Sequence, residues 1–481
     1  MQSILIIGGT DPSGAGLSTD IQVAQSLGCS VVPVVTAVTA QRHDTVIDQG
    51  LLSAERVAAQ LKCIDFTQIQ VVKIGMLGNE AIVKTVAEHL PERIQIVLDP
   101  VFSASSGGAL MTDAGMQALK KWLMPRALIT PNIDELSTLS GLTVTDDQSQ
   151  LAASNALLAL GAQAVFAKGG HLKNGRNSTD IYIDVHQQYA LSAPCWPDRS
   201  NVRGTGCAIA TAIACCLSVG ASMDDALVMA KGAVNQAIAK AKLDGTAYVA
   251  THLGMPQHVR YMPKRHAVDE MPAFNFAPCE TSSLGIYPVV DSVEWIKKLE
   301  ALGVATIQLR IKTGKPADIE QAIQAAIDYC TPRNIRLFIN DYWQLAIKYG
   351  AYGVHLGQQD IDSADLGAIA KAGLRLGLSS HCWFEVARAL AIKPSYLALG
   401  PIYATTSKEM TWIPQGVEAV QKWMDLFQGE MPLVAIGGIN IERARALKTT
   451  GVGAVAMISA ITEAKDYAQA TRDLLALWVE T

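Results

Sequence analysis

From residue 285 onward the chain alternates short apolar runs with longer stretches of helical spacing. Ile286–Val290, Thr306–Ile311, Arg336–Ile339, Gly353–Leu356, Leu374–Ser379, Tyr396–Leu399, Leu433–Ile436 and Ala454–Ile458 read as strands. Strands separated by helices imply parallel pairing through right-handed crossovers, and eight such units in about 200 residues predict a compact (β/α)8 barrel. The first half opens on the strand-like run Ser3-Ile4-Leu5-Ile6-Ile7, a glycine-rich loop Gly8–Gly16 and a helical pattern from Leu17. Further apolar runs there end in polar or glycine-containing turns, an α/β pattern of a different kind. Between the halves, residues 252–283 contain several prolines and no sustained period, so they read as a connector.

Polar groups collect where the barrel strands end. Gln308-Leu309-Arg310-Ile311-Lys312 and Asn340-Asp341 close two runs. Three more are closed by Val354-His355-Leu356-Gly357-Gln358-Gln359-Asp360, by Gly400-Pro401-Ile402-Tyr403-Ala404-Thr405-Thr406-Ser407-Lys408 and by Ala435-Ile436-Gly437-Gly438-Ile439. The C-terminal strand ends of such a barrel form one rim, and that rim carries the chemistry. Arg310 can clamp phosphate oxygens in a fork, Lys312 and Lys408 add point charges, and Asp341 and Asp360 are hard oxygen ligands suited to Mg2+. Taken singly, Asp341 reads equally well as a helix cap and Asp360 as a turn residue. Their shared position on one rim favours a site.

These residues resemble thiamine-phosphate synthase, whose signature runs QLRxK, ND, GVHLGQxD, GxS, GPxxxTxTK and AIGGI, over about residues 284–481. The resemblance implies a TIM-barrel enzyme that joins a pyrimidinylmethyl diphosphate to a thiazole phosphate, releasing pyrophosphate. It further implies that Gln308 and Asn340 orient the pyrimidine diphosphate and that Ser379 touches the pyrophosphate. Thr405, Ser407, Gly438, Ile458 and Ser459 would hold the thiazole phosphate. Ser407 stands where the family usually has threonine and keeps the hydroxyl.

In the first half the opening loop is neither a dinucleotide fingerprint nor a Walker A loop, because it lacks GxGxxG with a following acid and lacks GK[ST]. Gly204-Thr205-Gly206-Cys207 precedes the small-residue stretch Ala208–Leu217, whose helix N-terminus forms an anion cradle. A helix N-terminus is also expected to lower the Cys207 thiol from about 8.5 toward neutrality, which makes it a candidate base. The plainer reading is a small buried residue like Cys215 and Cys216.

With Lys73-Ile74-Gly75-Met76-Leu77, Leu98-Asp99-Pro100-Val101, Thr130-Pro131-Asn132 with Glu135, and Ala167-Lys168-Gly169-Gly170-His171, this half resembles hydroxymethylpyrimidine/phosphomethylpyrimidine kinase over about residues 1–250. That family has the ribokinase-like fold. The resemblance implies ATP as co-substrate, with Asp20, Gln41, Met76 and Val101 lining the pyrimidine pocket and Gly9 touching the substrate. Asn132 and Glu135 would organise Mg2+ around ATP, Gly204, Thr205 and Gly206 would hold phosphate, and Lys168 would neutralise it. Without the resemblance, Glu135 reads as an exposed helix residue. Two departures stand out: Ser13-Gly14-Ala15-Gly16 has one glycine fewer than usual, and Arg203 replaces a frequent histidine.

The expected architecture is therefore α/β throughout, a ribokinase-like kinase domain over 1–251, a linker over 252–283 and a TIM barrel over 284–481. With 481 residues, 49% of them hydrophobic, there is enough chain for two substantial cores. A net charge of −5 argues against nucleic acid or an anionic membrane as partner, leaving small-molecule substrates. The nine cysteines show no CxxC spacing and suit a reducing compartment. Met1-Gln2-Ser3 lacks a basic leader and Ala208–Val219 is too short to span a bilayer, so the expected location is cytoplasmic. Whether the chain forms a homo-oligomer is left open. The function expected is a bifunctional enzyme of thiamine biosynthesis. A vitamin B6-type kinase fused to a degenerate barrel is opposed by the pyrimidine-pocket set including Gln41; a non-catalytic pyrimidine sensor is opposed by Cys207, Asn132, Glu135 and Lys168.

Overall fold

The computed structural model describes residues 2–12, 14–41, 46–103, 108–170, 177–196, 202, 204–244, 247–279, 283–404 and 413–479. The chain divides into two compact units, Met1–Met271 and Pro272–Thr481.

The first unit is built on a ten-stranded sheet. In chain order its strands are β1 (Ser3–Thr10), β2 (Ser30–Gln41), β3 (Val46–Leu51), β4 (Val71–Ile74), β5 (Gln95–Leu98), β6 (Ala127–Ile129), β7 (Ala164–Ala167), β8 (Asn177–Ile183) and β9 (Gln188–Pro194). A separate hairpin, β10 (Lys242–Asp244) and β11 (Ala247–Val249), precedes β12 (Lys264–His266). The spatial order is β12-β9-β8-β7-β6-β5-β4-β1-β2-β3. Pairing is parallel from β2 to β7 and antiparallel at both edges. The parallel strands are covered on both faces, which is why they read as unbroken apolar runs; β4, β6 and β7 are buried along their whole length. From β1 the chain moves to β2 on one side and later to β4 on the other. A crevice therefore opens beyond the C-terminal ends of β1 and β4, where this class of sheet binds ligands. Helices Leu17–Ser26 and Thr205–Ser218 pack together across that part of the sheet.

The second unit is a closed barrel of eight parallel strands: β13 (Gly285–Val290), β14 (Thr306–Leu309), β15 (Arg336–Asn340), β16 (Gly353–Leu356), β17 (Arg375–Ser380), β18 (Tyr396–Leu399), β19 (Leu433–Ile436) and β20 (Ala454–Met457). β20 pairs with β13 to close it. Large and small residues interlock inside. A Cβ at Gly353 would lie 2.6 Å from the Phe338 ring, and one at Gly377 would lie 2.1 Å from Tyr396 Cζ, so these two glycines give the rings their space.

Residues read as connector take part in both units. β12 pairs antiparallel with β9, and His266 Nε2 lies 2.8 Å from Ser192 Oγ. On the other side, Ser395 Oγ donates to the Ala277 carbonyl at 2.7 Å and Arg375 Nε to that of Pro278 at 3.2 Å. Prolines and missing periodicity conceal these contacts because a three-residue edge strand carries almost no pattern.

Candidate active sites

In the first unit the glycine-rich loop is shaped by close backbone approach. Gly16 has φ 59°, and a Cβ there would lie 2.3 Å from the Gly9 carbonyl oxygen. Thr19 Oγ1 donates to the Gly14 carbonyl at 2.7 Å. Gly9, Met76 and Val101 meet at the strand ends: Met76 clusters with Ala37 and Leu110, Val101 packs against them, and a Cβ at Gly9 would stand 3.0 Å from Met76 Sδ. This is an apolar bed beside the crevice. The side chain of Gln41, and residues Ser13 and Arg203, lie outside the described residues.

Asp20 lies in a buried cluster of paired groups. It is 1% exposed, its Oδ2 accepts from Lys73 Nζ at 2.7 Å and its Oδ1 from Thr211 Oγ1 at 2.6 Å. Both oxygens are thus engaged in a buried cluster, since a buried carboxylate must find partners inside the protein. Burial raises its pKa against the opposing Lys73. Lys73, buried as deeply, would be lowered by burial, but its pKa is raised because the carboxylates of Asp20 and Asp99 oppose this and hold it as an ammonium.

Lys168 Nζ reaches Asp99 Oδ1 at 2.8 Å, and a Cβ on Gly206 would lie 3.6 Å from the same ammonium. The cation therefore stands at the N-terminus of helix Thr205–Ser218, for which Gly204 is the cap at φ 77°. Cys207 lies in the first turn, partly exposed. Its pKa is raised, not lowered: burial dominates, Asp99 and Asp20 add to it, and Lys73 and Lys168 oppose it without prevailing. The thiolate expected from the helix N-terminus is thus not the resting form, because local helix chemistry is outweighed by loss of water.

Asn132 and Glu135 form a reciprocal cap at the start of helix Ile133–Ser140. Asn132 Oδ1 accepts from the Glu135 N–H at 2.9 Å and Glu135 Oε2 from the Asn132 N–H at 2.8 Å. Glu135 is not an exposed helix residue. Burial pushes its carboxyl up to about 7, partly opposed by Lys168 and aided by Asp99.

In the second unit, Gln308, Arg310, Asn340, Asp341, Asp360, Ser379, Gly438, Ile458 and Ser459 all line one cavity at the C-terminal mouth of the barrel. Lys312 is exposed on the loop after β14 and is not among the lining residues. Thr405, Ser407 and Lys408 lie outside the described residues. Asp341 takes φ 65°, and the Asn340 amide donates to its carboxylate. Its carboxyl is raised to about 6, chiefly by burial and then by Asp360, with Arg310 opposing. Gly438 has φ 62° and a Cβ there would lie 2.3 Å from the Ala404 carbonyl, so glycine lets the end of β19 meet the loop after β18.

Sequence reasoning assigned no role to Lys73, Asp99, His355, Tyr287 or Tyr396. A lysine inside the apolar run Val71-Val72-Lys73-Ile74 is a legible sign of a buried, paired charge. His355 shows itself by its place at a strand end of the rim. The two tyrosines look like ordinary barrel core until their hydroxyls are located. His381, also lining the cavity, is held by Glu385 at 2.7 Å.

Residues 11–252, half of the chain, match the phosphomethylpyrimidine kinase family, and residues 286–461 match the thiamine monophosphate synthase family. A thiamine-phosphate synthase of Pectobacterium atrosepticum is 54% identical over 200 residues, 42% of this chain and 93% of that one. The synthase of Salmonella typhimurium is 54% identical over 194 residues, 40% of this chain and 92% of its own length. A phosphomethylpyrimidine kinase structure from Clostridium difficile aligns over 47% of this chain and 95% of its own at 28% identity, with a TM-score of 0.41. The chain therefore belongs to the phosphomethylpyrimidine kinase family in its first half and to the thiamine monophosphate synthase family in its barrel, and is a bifunctional transferase of thiamine biosynthesis.

Proposed function

We propose that the first unit uses MgATP to phosphorylate 4-amino-5-hydroxymethyl-2-methylpyrimidine and then its monophosphate, and that the barrel couples the diphosphate to 4-methyl-5-hydroxyethylthiazole phosphate. The observation that carries the kinase half is the convergence of Lys168, Asp99, Glu135 and Cys207 at one helix N-terminus, beside the apolar bed of Gly9, Met76 and Val101. In this reading the bed receives the pyrimidine ring and Gln41 pairs with its polar edge. The Gly204, Thr205 and Gly206 amides hold the transferring phosphoryl, Lys168 neutralises it, and Asn132 and Glu135 organise the cation around ATP while capping their helix. Asp20 acts indirectly, by fixing Lys73. Cys207 accepts the substrate proton from its minor thiolate form, because its raised pKa keeps most of it protonated near neutrality.

In the barrel, Gln308 and Asn340 orient the pyrimidine, Ser379 meets the pyrophosphate, and Arg310, with Lys312 and Lys408, receives the charge that leaves with it. Thr405, Ser407, Gly438, Ile458 and Ser459 hold the thiazole phosphate. The bond between the pyrimidine methylene carbon and the diphosphate oxygen breaks with its electron pair on pyrophosphate, and the thiazole nitrogen supplies the pair for the new C–N bond. Asp341 and Asp360 fit Mg2+: both are hard oxygen donors, and the Asp341 carboxyl, raised chiefly by burial and then by the neighbouring Asp360 charge, is one whose ionised form a divalent cation would favour. Bound there, the cation would stabilise negative charge on the diphosphate. The nine free cysteines suit a reducing cytoplasm. Offering hydroxymethylpyrimidine, its monophosphate and pyridoxal separately with MgATP tests the kinase half. Conversion of the first two to the diphosphate is expected; a preference for pyridoxal would overturn it.

A further inference from the structure

A chain of hydrogen bonds crosses the inside of the barrel between two residues of the cavity. Gln308 Nε2 donates to the Tyr287 hydroxyl at 3.3 Å, and the hydroxyls of Tyr287 and Tyr396 lie 2.9 Å apart. Tyr396 Oη is 2.7 Å from His355 Nδ1, and His355 Nε2 is 2.9 Å from Ser379 Oγ. Gln308, Tyr287, Tyr396 and His355 are all at most 5% exposed, so these groups make their bonds inside the protein. Burial raises both phenol pKa values, which leaves each hydroxyl with one proton. Tyr396 reaches this position because residue 377 is glycine: a Cβ there would lie 2.3 Å from the phenolic oxygen.

Counting protons sets a direction. Gln308 gives one to the Tyr287 oxygen, so Tyr287 gives its own to Tyr396, and Tyr396 gives its own to His355 Nδ1. That nitrogen must then carry the lone pair, and the imidazole proton sits on Nε2, aimed at Ser379 Oγ. With an oxygen lone pair occupied by the imidazole N–H, Ser379 has its own proton left to donate elsewhere. A serine free to rotate would also present lone pairs to an arriving anion. A donor oriented before the reaction needs no rearrangement as charge develops.

Building on the synthase reading of the barrel, we infer that His355 is a positioning residue: Tyr287 and Tyr396 hold it as the neutral Nε2–H tautomer, and it turns the Ser379 hydroxyl proton toward the departing pyrophosphate. Tyr396 and Ser379 are then linked through His355. A double-mutant cycle on the intact chain, supplied with preformed pyrimidine diphosphate and thiazole phosphate, reads that link. Tyr396→Phe is expected to lower the coupling kcat about tenfold with KM within about twofold, and to cost no more than about twofold in a Ser379→Ala background. Nitrogen NMR of 15N-histidine-labelled protein, with His355 assigned by its loss in His355→Gln, is expected to show the Nε2–H tautomer in the wild type and a mixture in Tyr396→Phe. Equal costs in both backgrounds, or an Nδ1–H tautomer in the wild type, overturns the inference. A wild type that makes no thiamine phosphate refutes the synthase reading instead, and the NMR arm still decides the tautomer.

Discussion

Lowering the pH should starve the barrel of Mg2+. The Asp341 carboxyl sits at about 6, against an ordinary 3.8, because burial and the neighbouring Asp360 disfavour its charge. A cation that needs the carboxylate competes with that proton, so its apparent Kd grows by the factor 1 + 10^(pKa − pH). Between pH 7 and pH 5 this raises the half-saturating Mg2+ concentration about tenfold, whereas an unshifted aspartate would leave it almost flat. The sign is that of a raised acid: protonation, and hence metal loss, sets in as pH falls through about 6. Asp360→Asn removes the like charge. The site weakens at every pH because a ligand is lost, but the pH dependence flattens as Asp341 returns toward its ordinary value. The assay is the coupling rate against Mg2+ at pH 5, 6, 7 and 8 with preformed diphosphate. Substrate phosphates also titrate near 6, so the diagnostic is the difference between wild type and Asp360→Asn. Identical pH dependence in the two would refute the coupling between these carboxylates, and an unaltered Mg2+ requirement in Asp360→Asn would remove Asp360 from the metal site.

Cys207→Ala should lower kinase turnover about 10²–10⁴-fold with synthase activity intact, and the wild-type kinase rate should climb about tenfold per pH unit from 7 to 9 as thiolate appears; a plateau at neutral pH would mean the thiol is not raised. Lys73→Met strands the Asp20 carboxylate, and loss of one partner from a buried pair costs about 3–5 kcal/mol, so calorimetry should show a lower melting temperature for the first unit and an unchanged barrel. If Lys73→Met melts like the wild type, the pair is not structural. Expression of residues 1–271 and 272–481 as separate chains should give two folded proteins, each with its own half-reaction; folded fragments lacking both activities would contradict two self-contained enzymes.

The barrel was largely legible because parallel strands covered on both faces read as continuous apolar runs: Gly353–Leu356, Tyr396–Leu399 and Leu433–Ile436 coincide with observed strands. The apolar run Thr306–Ile311 outlasts its strand, which ends at Leu309 and releases Arg310 to the cavity. Antiparallel edges were less visible. Lys264-Arg265-His266 has the composition of a loop, yet it pairs with β9. At the sites, spacing brought out the residues of the rim, but not the contacts between distant segments. Asp20 and Lys73 are 53 residues apart, and their pairing depends on sheet topology. Cys207 shows the limit of local reasoning: its helix position is legible, while the desolvation that reverses its shift comes from the fold around it.

The central claim is that one chain carries the pyrimidine from alcohol to thiamine phosphate. The direct measurement is a single reaction of the intact protein with hydroxymethylpyrimidine, ATP, Mg2+ and thiazole phosphate, followed by chromatography for thiamine phosphate. The expected result is thiamine phosphate with two ATP consumed per product, abolished by omitting ATP and restored by adding the pyrimidine diphosphate. Pyrimidine diphosphate that accumulates without thiamine phosphate, or no ATP-dependent consumption of the pyrimidine, would contradict it.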